Sequence, residues 1–300
     1  MAKNKLISRF IEEQIKQLRE SERFGTANNY EKTLRSLMNF IGDRKLTFSD
    51  FNESLISDYN SYLIKRGLMR NSISFYMRIL RAIYNKAVKQ KLAVRKELFT
   101  DVYTGIDQTR KRAVDEKIIY KLYELKLNSN SPLALARDIF IFSYCTRGMS
   151  FVDIAYLRKS DISGGVIRYY RRKTGQMMSI KLESCIQYII SKYVSKKSIY
   201  VFPIIKSPDS DKAYGQYRSA INIYNRNLKE LSKMIGLECG LSSYTSRHSW
   251  ATIARKHDVP ISVISAGMGH NSETTTQIYL KSIEDDIVDK ANAEMMRIFR

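Results

Sequence analysis

The last sixty residues hold three short runs whose side chains could act on a phosphate ester. Leu241-Ser-Ser-Tyr-Thr-Ser-Arg-His-Ser-Trp-Ala-Thr252 is the first, Gly267-Met-Gly-His270 the second, and Thr274-Thr-Thr-Gln-Ile-Tyr279 the third. A further basic run, Arg171-Arg-Lys-Thr-Gly175, lies well before them. Attack on a phosphodiester builds negative charge on its non-bridging oxygens, and cationic donors that are already oriented stabilise that charge better than water does. Arginine suits the task because its planar fork meets two oxygens and keeps its proton. Lysine gives up a proton more readily, which is what a leaving oxygen needs. A phenol, with a pKa of about 10, attacks only when positive charge or a base activates it. Each run is weak alone, and with 20 tyrosines in the chain a tyrosine as such singles out nothing. No P-loop pattern and no carboxylate cluster suited to Mg²⁺ is visible, so no metal, nucleotide or other cofactor is expected.

The charge balance agrees with a phosphate-rich partner. Lys and Arg total 51 against 30 Asp and Glu, a formal net charge of +21 over 300 residues. Such an excess must meet a polyanion or repel itself, and nucleic acid is the usual polyanion. The charge is spread: residues 1–111 carry a net +10 and the rest +11, as suits a chain that wraps a duplex from two sides. No run approaches the ~20 apolar residues of a membrane span, and the N-terminus lacks an apolar stretch of signal-peptide type. Cys145, Cys185 and Cys239 are odd in number and widely spaced. They read as buried free thiols in a reducing cytoplasm, neither disulfides nor zinc ligands.

The elements that must position these runs are mostly helical. Phe10, Ile11, Ile15 and Leu18 recur at helical spacing, as do Tyr30, Leu34, Leu37 and Ile41. A third segment carries Leu55, Ile56, Tyr59, Tyr62 and Leu63, and a fourth Ile73, Met77, Leu80, Tyr84 and Val88. Thr26 and Asp50 are the expected N-caps of the second and third. Arg70, Arg78, Arg81, Lys86 and Lys89 make the fourth helix basic, and the aromatic residues keep the helical period and read as core. The predicted fold class is mainly α: a four-helix unit over residues 1–104, a linker at 105–112, and a mostly helical domain over 113–300. Within the latter, helices are predicted at Asp115–Leu125 and Leu133–Cys145. The β signal there is Val166–Tyr170 and Met177–Leu182 around a Lys-Thr-Gly turn, after a Gly164-Gly165 turn: a hairpin or small three-stranded sheet.

Taken in order, Arg247, Gly269-His270 and Tyr279, nine positions after His270, resemble the catalytic domain of the tyrosine recombinase (phage integrase) family. The four-helix unit and the Arg-Lys-Thr-Gly hairpin stand where that family has its core-binding domain and its catalytic lysine, so the resemblance covers nearly the whole chain. It implies a site-specific DNA recombinase that cuts and rejoins strands through a 3′-phosphotyrosine intermediate, without metal or ATP, in integration, excision or inversion. It implies Tyr279 as nucleophile, Arg247 as phosphate clamp, and His270 as hydrogen-bonding partner of the phosphate or the tyrosine. Lys173 would be the acid that protonates the leaving oxygen, with Arg171 or Arg172 the neighbours that could be mistaken for it. The expected partners are double-stranded DNA, a homo-tetramer joining two sites, and accessory DNA-bending proteins, with no membrane.

Two positions depart from the family pattern. Tyr244 stands where the second motif usually has histidine, and its hydroxyl could still donate to a phosphate. Asp153 matches the carboxylate of the first motif, with Leu157 at the expected distance beyond it, yet Ser150 falls at the arginine position. Arg147, one helical turn earlier and on roughly the same face, is the expected working arginine, with Arg168 or Arg171 next in line. A DNA-binding protein that keeps the fold without catalysis is the alternative function, and a type IB topoisomerase shares the chemistry. Ile283, Ile287, Ala291, Met295 and Phe299 or Ile298 form an apolar stripe that could dock into a neighbour, which favours the recombinase. The short N-terminus, without an arm-type domain before the four-helix unit, favours a simple invertase, transposon or resolution recombinase over a large phage-type integrase. If the spread charge meets phosphates, affinity for duplex DNA should fall steeply with salt. Log affinity against log salt should slope by about −0.9 per phosphate contact, and a flat titration would contradict it.

Overall fold

A computed structural model describes residues 5–107, 113–270, 272–277 and 295–296. The chain divides into two compact units, residues 1–109 and 110–300. Residues 108–112 of the expected linker, Tyr279 and the apolar C-terminal stripe apart from Met295 lie outside the described residues. Met295 is 65% exposed.

Four helices build the first unit: α1 (Ile7–Glu20), α2 (Phe24–Ile41), α3 (Glu53–Lys65) and α4 (Arg70–Lys89). α1 buries Phe10, Ile11, Ile15 and Leu18 against α2, and α4 buries Ile73, Met77, Leu80, Ile83, Tyr84 and Ala87. Those residues recur every three or four positions, so each helix offers one apolar stripe to a shared core. The aromatic residues are core: Tyr59 is fully buried with its hydroxyl 2.7 Å from Ser36 Oγ, and Tyr84 stacks on Phe51. Arg70, Arg81 and Lys89 face solvent on α4.

Both expected caps are corrected. α2 begins at Phe24, which puts Thr26 inside its first turn. α3 is capped by Asn52, whose side chain accepts from the Leu55 amide at 2.9 Å. Asp50 instead closes the preceding turn, accepting from the amide and the hydroxyl of Thr47. A carboxylate held by those donors is not available to a helix two residues on, and its pKa lies below the ordinary value for the same reason.

In the second unit α5 (Glu116–Tyr123) and α6 (Pro132–Cys145) precede α7 (Phe151–Ala155). Strands β1 (Ile162–Ser163), β2 (Val166–Tyr170) and β3 (Met177–Lys181) form an antiparallel sheet in chain order. Then come α8 (Ser184–Tyr193), α9 (Ser210–Met234), α10 (Thr245–Lys256) and α11 (Ile261–Met268). α6 starts cleanly because Ser131 accepts from the Ala134 amide and Pro132 fills the first position, where no amide proton is needed. Its residues 138–143 are all buried, and α5, α7, α8, α9 and α10 pack around it. A helix apolar on every side is stable only when enclosed in this way. On β2 the pattern alternates, Ile167 and Tyr169 inward and Arg168 and Tyr170 outward.

Cys145 and Cys185 are half-buried and Cys239 is exposed, a correction to the reading of three buried thiols. Burial, and then the neighbouring Cys185, pushes the Cys145 thiol up to about 12. Among the described residues no helix is long and apolar enough to cross a membrane. Phe142, fully buried and edge-on to Phe202 at 4.9 Å, anchors α6. Phe142→Ala should cost about 3–5 kcal/mol in urea unfolding of the chain, and a loss below about 1 kcal/mol would mean that the centre of α6 repacks freely.

Candidate active site

Arg247 lies in the first turn of α10, not before it, and its side chain points inward at 4% exposure. Nη1 donates to the Gly148 carbonyl at 2.7 Å and Nη2 to the Met268 carbonyl at 2.6 Å. Nη2 also stands 3.0 Å from His270 Nε2. A guanidinium has only protons to offer, so that imidazole nitrogen must be the acceptor. The ring proton then sits on Nδ1, 2.8 Å from Thr276 Oγ1, to which it donates. Thr276 is fully buried.

Glycine makes this packing possible. Gly148 has φ +74°, and a Cβ there would stand 2.7 Å from Arg247 Cγ. Gly269 has φ +64°, and a Cβ there would meet Arg171 Cδ at 2.8 Å. Either side chain would displace an arginine stem, and the left-handed backbone adds its own cost. The turn before α7 is held from within the core. Ser143 donates to the Met149 carbonyl at 2.7 Å, so the 2.8 Å bond to Ser246 uses the proton of Ser246. That pair ties α6 to α10.

A cavity of about 300 Å³ opens beside these groups. Arg171, Lys173, Arg247, His270, Tyr244, Ser150, Val152, Thr174 and Thr275 line it: among the described residues, three fixed cations and no carboxylate. Of the residues singled out from the sequence, Arg247, His270, Lys173 and Tyr244 therefore come together. Lys173 is exposed in the turn after β2, and Tyr244, at the start of α10, is 50% exposed. A larger groove of about 660 Å³ runs along α6 and α9, but its walls are chiefly apolar.

Arg147 does not line the cavity, and the premise of a shared helical face is corrected. α6 ends at Cys145, α7 starts at Phe151, and Arg147 lies between them with φ +60°. Its guanidinium reaches 3.5 Å from the Ser179 carbonyl on β3. Ser150 does line the cavity, with its hydroxyl donated to Asp153 at 2.6 Å.

Arg171, next in line after Arg147 for the first arginine, does line the cavity. It is 7% exposed and its guanidinium donates to the Gly269 carbonyl. The strand alternation carries its signal: Ile167 and Tyr169 point inward, and Arg171 is the next residue of that parity.

The cations act on the imidazole. Burial first, then Arg247, Arg171 and Lys173, push the His270 pKa down from 6.5 to about 4. The ring is neutral at pH 7, in agreement with the tautomer that its partners require. His270 should therefore titrate near pH 4 by NMR in the folded chain. Between pH 6.5 and 4 the unfolded chain takes up this proton first, so stability should fall as pH drops through that window. An imidazole titrating at 6.5 would contradict the cationic surroundings.

Comparison with known proteins places this geometry. Residues 6–100 match the phage integrase SAM-like domain and residues 115–285 match the phage integrase family. The chain is 21% identical to tyrosine recombinase XerD of Staphylococcus epidermidis over 270 residues, 85% of this chain and 88% of the relative. Its fold resembles a lambda integrase dimer bound to a COC′ core site, with a TM-score of 0.65, 16% identity, and 93% and 78% of the two chains covered. A lambda integrase tetramer bound to a Holliday junction gives a TM-score of 0.63 at 16% identity, with 92% and 77% covered. The chain belongs to the phage integrase family of tyrosine recombinases, enzymes of site-specific recombination.

Proposed function

We propose that this chain cuts and rejoins double-stranded DNA at specific sites through a phosphotyrosine intermediate. The observation that carries this reading is the cavity lined by Arg247, Arg171, Lys173 and His270, with no carboxylate among the described residues, a setting suited to an anion. Tyr279 attacks the scissile phosphorus through its phenolic oxygen and gives its proton to solvent water. The bond from phosphorus to the 5′ oxygen breaks, and Lys173 gives that oxygen its proton. The strand is left as a 3′-phosphotyrosine with a free 5′ hydroxyl. Attack by a 5′ hydroxyl on the phosphotyrosine reverses the step, so the ester bond is conserved and no ATP or metal is consumed. Arg247 clamps a non-bridging oxygen throughout. His270 orders Arg247 on one side and Thr276 on the other, and Thr276 stands three residues before Tyr279 in sequence. Tyr244 offers a hydroxyl at the cavity mouth where relatives of the resembled family have histidine.

Lambda integrase has been captured on DNA as a dimer and as a tetramer. We extend that assembly to this chain: a homo-tetramer on two duplexes in the cytoplasm, open to help from DNA-bending proteins. Integration, excision and inversion share these steps.

Tyr279→Phe should abolish the covalent protein–DNA adduct while leaving DNA binding intact, with both measured in EDTA. A denaturing gel on a labelled nicked duplex reads the adduct. Adduct persisting in the Phe variant would remove Tyr279 from the role, and binding without any adduct from the wild-type chain would favour the non-catalytic alternative.

A further inference from the structure

The cavity meets a growing phosphate charge with one arginine fewer than the family resemblance leads one to expect, because Ser150 stands at the first arginine position. A serine hydroxyl offers one neutral hydrogen bond, and here that proton is already given to Asp153. Asp153 is 4% exposed, and its other oxygen accepts from the Arg172 amide at 2.9 Å. One buried carboxylate thus joins the start of α7 to the chain leaving β2, and brings the backbone around Arg171 up against Ser150. Arg171 follows Ile167 and Tyr169 on the inward face, so its side chain enters the cavity instead of solvent. The Gly269 carbonyl holds its guanidinium, next to the residue that bears the imidazole. Among the described residues no carboxylate pairs with Arg171. A buried cation left without an anion is costly, and a bound phosphate relieves that cost.

Arg147 has none of these features. It stands off the cavity lining, its backbone is left-handed, and its guanidinium donates to a carbonyl of β3.

Resting on the strand-transfer reading above, we infer that Arg171 is the second guanidinium over the scissile phosphate, doing from the strand side what Ser150 at the start of α7 cannot. Arg247 and Arg171 then approach the phosphate from different elements, each braced by a backbone carbonyl beside Gly269: Met268 for one, Gly269 itself for the other. Both are preorganised, so little rearrangement is needed when charge develops.

The test uses the full chain in single-turnover cleavage of a nicked duplex, recovered from a randomised pool by covalent retention on the wild-type protein. DNA binding is measured separately, so that lost affinity is not counted as lost chemistry. Arg171→Ala should slow cleavage by about 10²–10³-fold, Arg171→Lys should fall in between, and Arg147→Ala should stay near the wild-type rate. The same duplex with a methylphosphonate at the scissile position lacks the charge of one non-bridging oxygen. On it the deficit of Arg171→Ala relative to wild type should shrink, which a merely structural defect would not do. Where the Ala variant does not fold, Arg171→Lys carries the same comparison. Wild-type cleavage by Arg171→Ala, or an equal deficit on both duplexes, would overturn the assignment while the strand-transfer reading stands. A pool that yields no covalent complex sensitive to Tyr279→Phe would instead sink the strand-transfer reading itself.

Discussion

A buried guanidinium governs the layout of the second unit. Taking a cation out of water costs several kcal/mol unless its protons find acceptors. For Arg247 the carbonyls of Gly148 and Met268 and the imidazole of His270 meet that demand. Gly148 precedes α10 by about a hundred residues, whereas Met268 and His270 follow it, at the end of α11 and just beyond. Satisfying one side chain therefore fixes the turn before α7, the end of α11 and the orientation of the imidazole together. The glycines at 148 and 269 follow from the same demand, since the arginine stems pass where a Cβ would stand.

The electrostatics follow from that geometry. Among the described residues, three fixed cations and no carboxylate line one cavity of about 300 Å³. Elsewhere in the unit some acids are paired: Asp138 binds Arg137, Lys192 and the hydroxyl of Tyr193, and Asp115 binds Lys256. Asp153 lies close to the cavity yet is spent on Ser150 and a backbone amide. Burial, and then the surrounding Arg247, Arg171 and Lys173, lower the affinity of the imidazole for a proton and keep His270 neutral. These cations also make the cavity an attractive place for a phosphate, the same complementarity that the net charge of +21 expresses over the whole chain.

The hydrophobic framework holds this arrangement without taking part in it. The second half of α6, residues 138–143, is buried throughout, so the turn that follows it is tied to the packed core. The pair Ser143 and Ser246 then links that turn to α10 through two buried hydroxyls. A displaced helix would strip the Ser246 hydroxyl and the Arg247 guanidinium of these partners, and buried unpaired polar groups are expensive.

Much of this was legible in the residues alone. Helical spacing located the four helices of the first unit and α6, and alternation with paired glycines located β2 and β3, because burial of one face imposes its period on the sequence. The order of Arg247, His270 and Tyr279 pointed to the family, since chemistry on a phosphate restricts residue type and spacing together. Local rules failed where distant partners decided the outcome. Asp50 reads as a cap but is held by Thr47, and Arg147 reads as helical but occupies a left-handed turn packed beside Arg247. The neutral His270 and the inward Arg171 depend on a sheet, two helix ends and a glycine turn meeting at one place. Sequence by itself determined which groups are available and which faces are apolar, because those depend on neighbours three or four residues away. Only the tertiary structure decided which cations share a cavity, because that depends on contacts across roughly a hundred residues, such as Arg171 with Gly269 and Arg247 with Gly148.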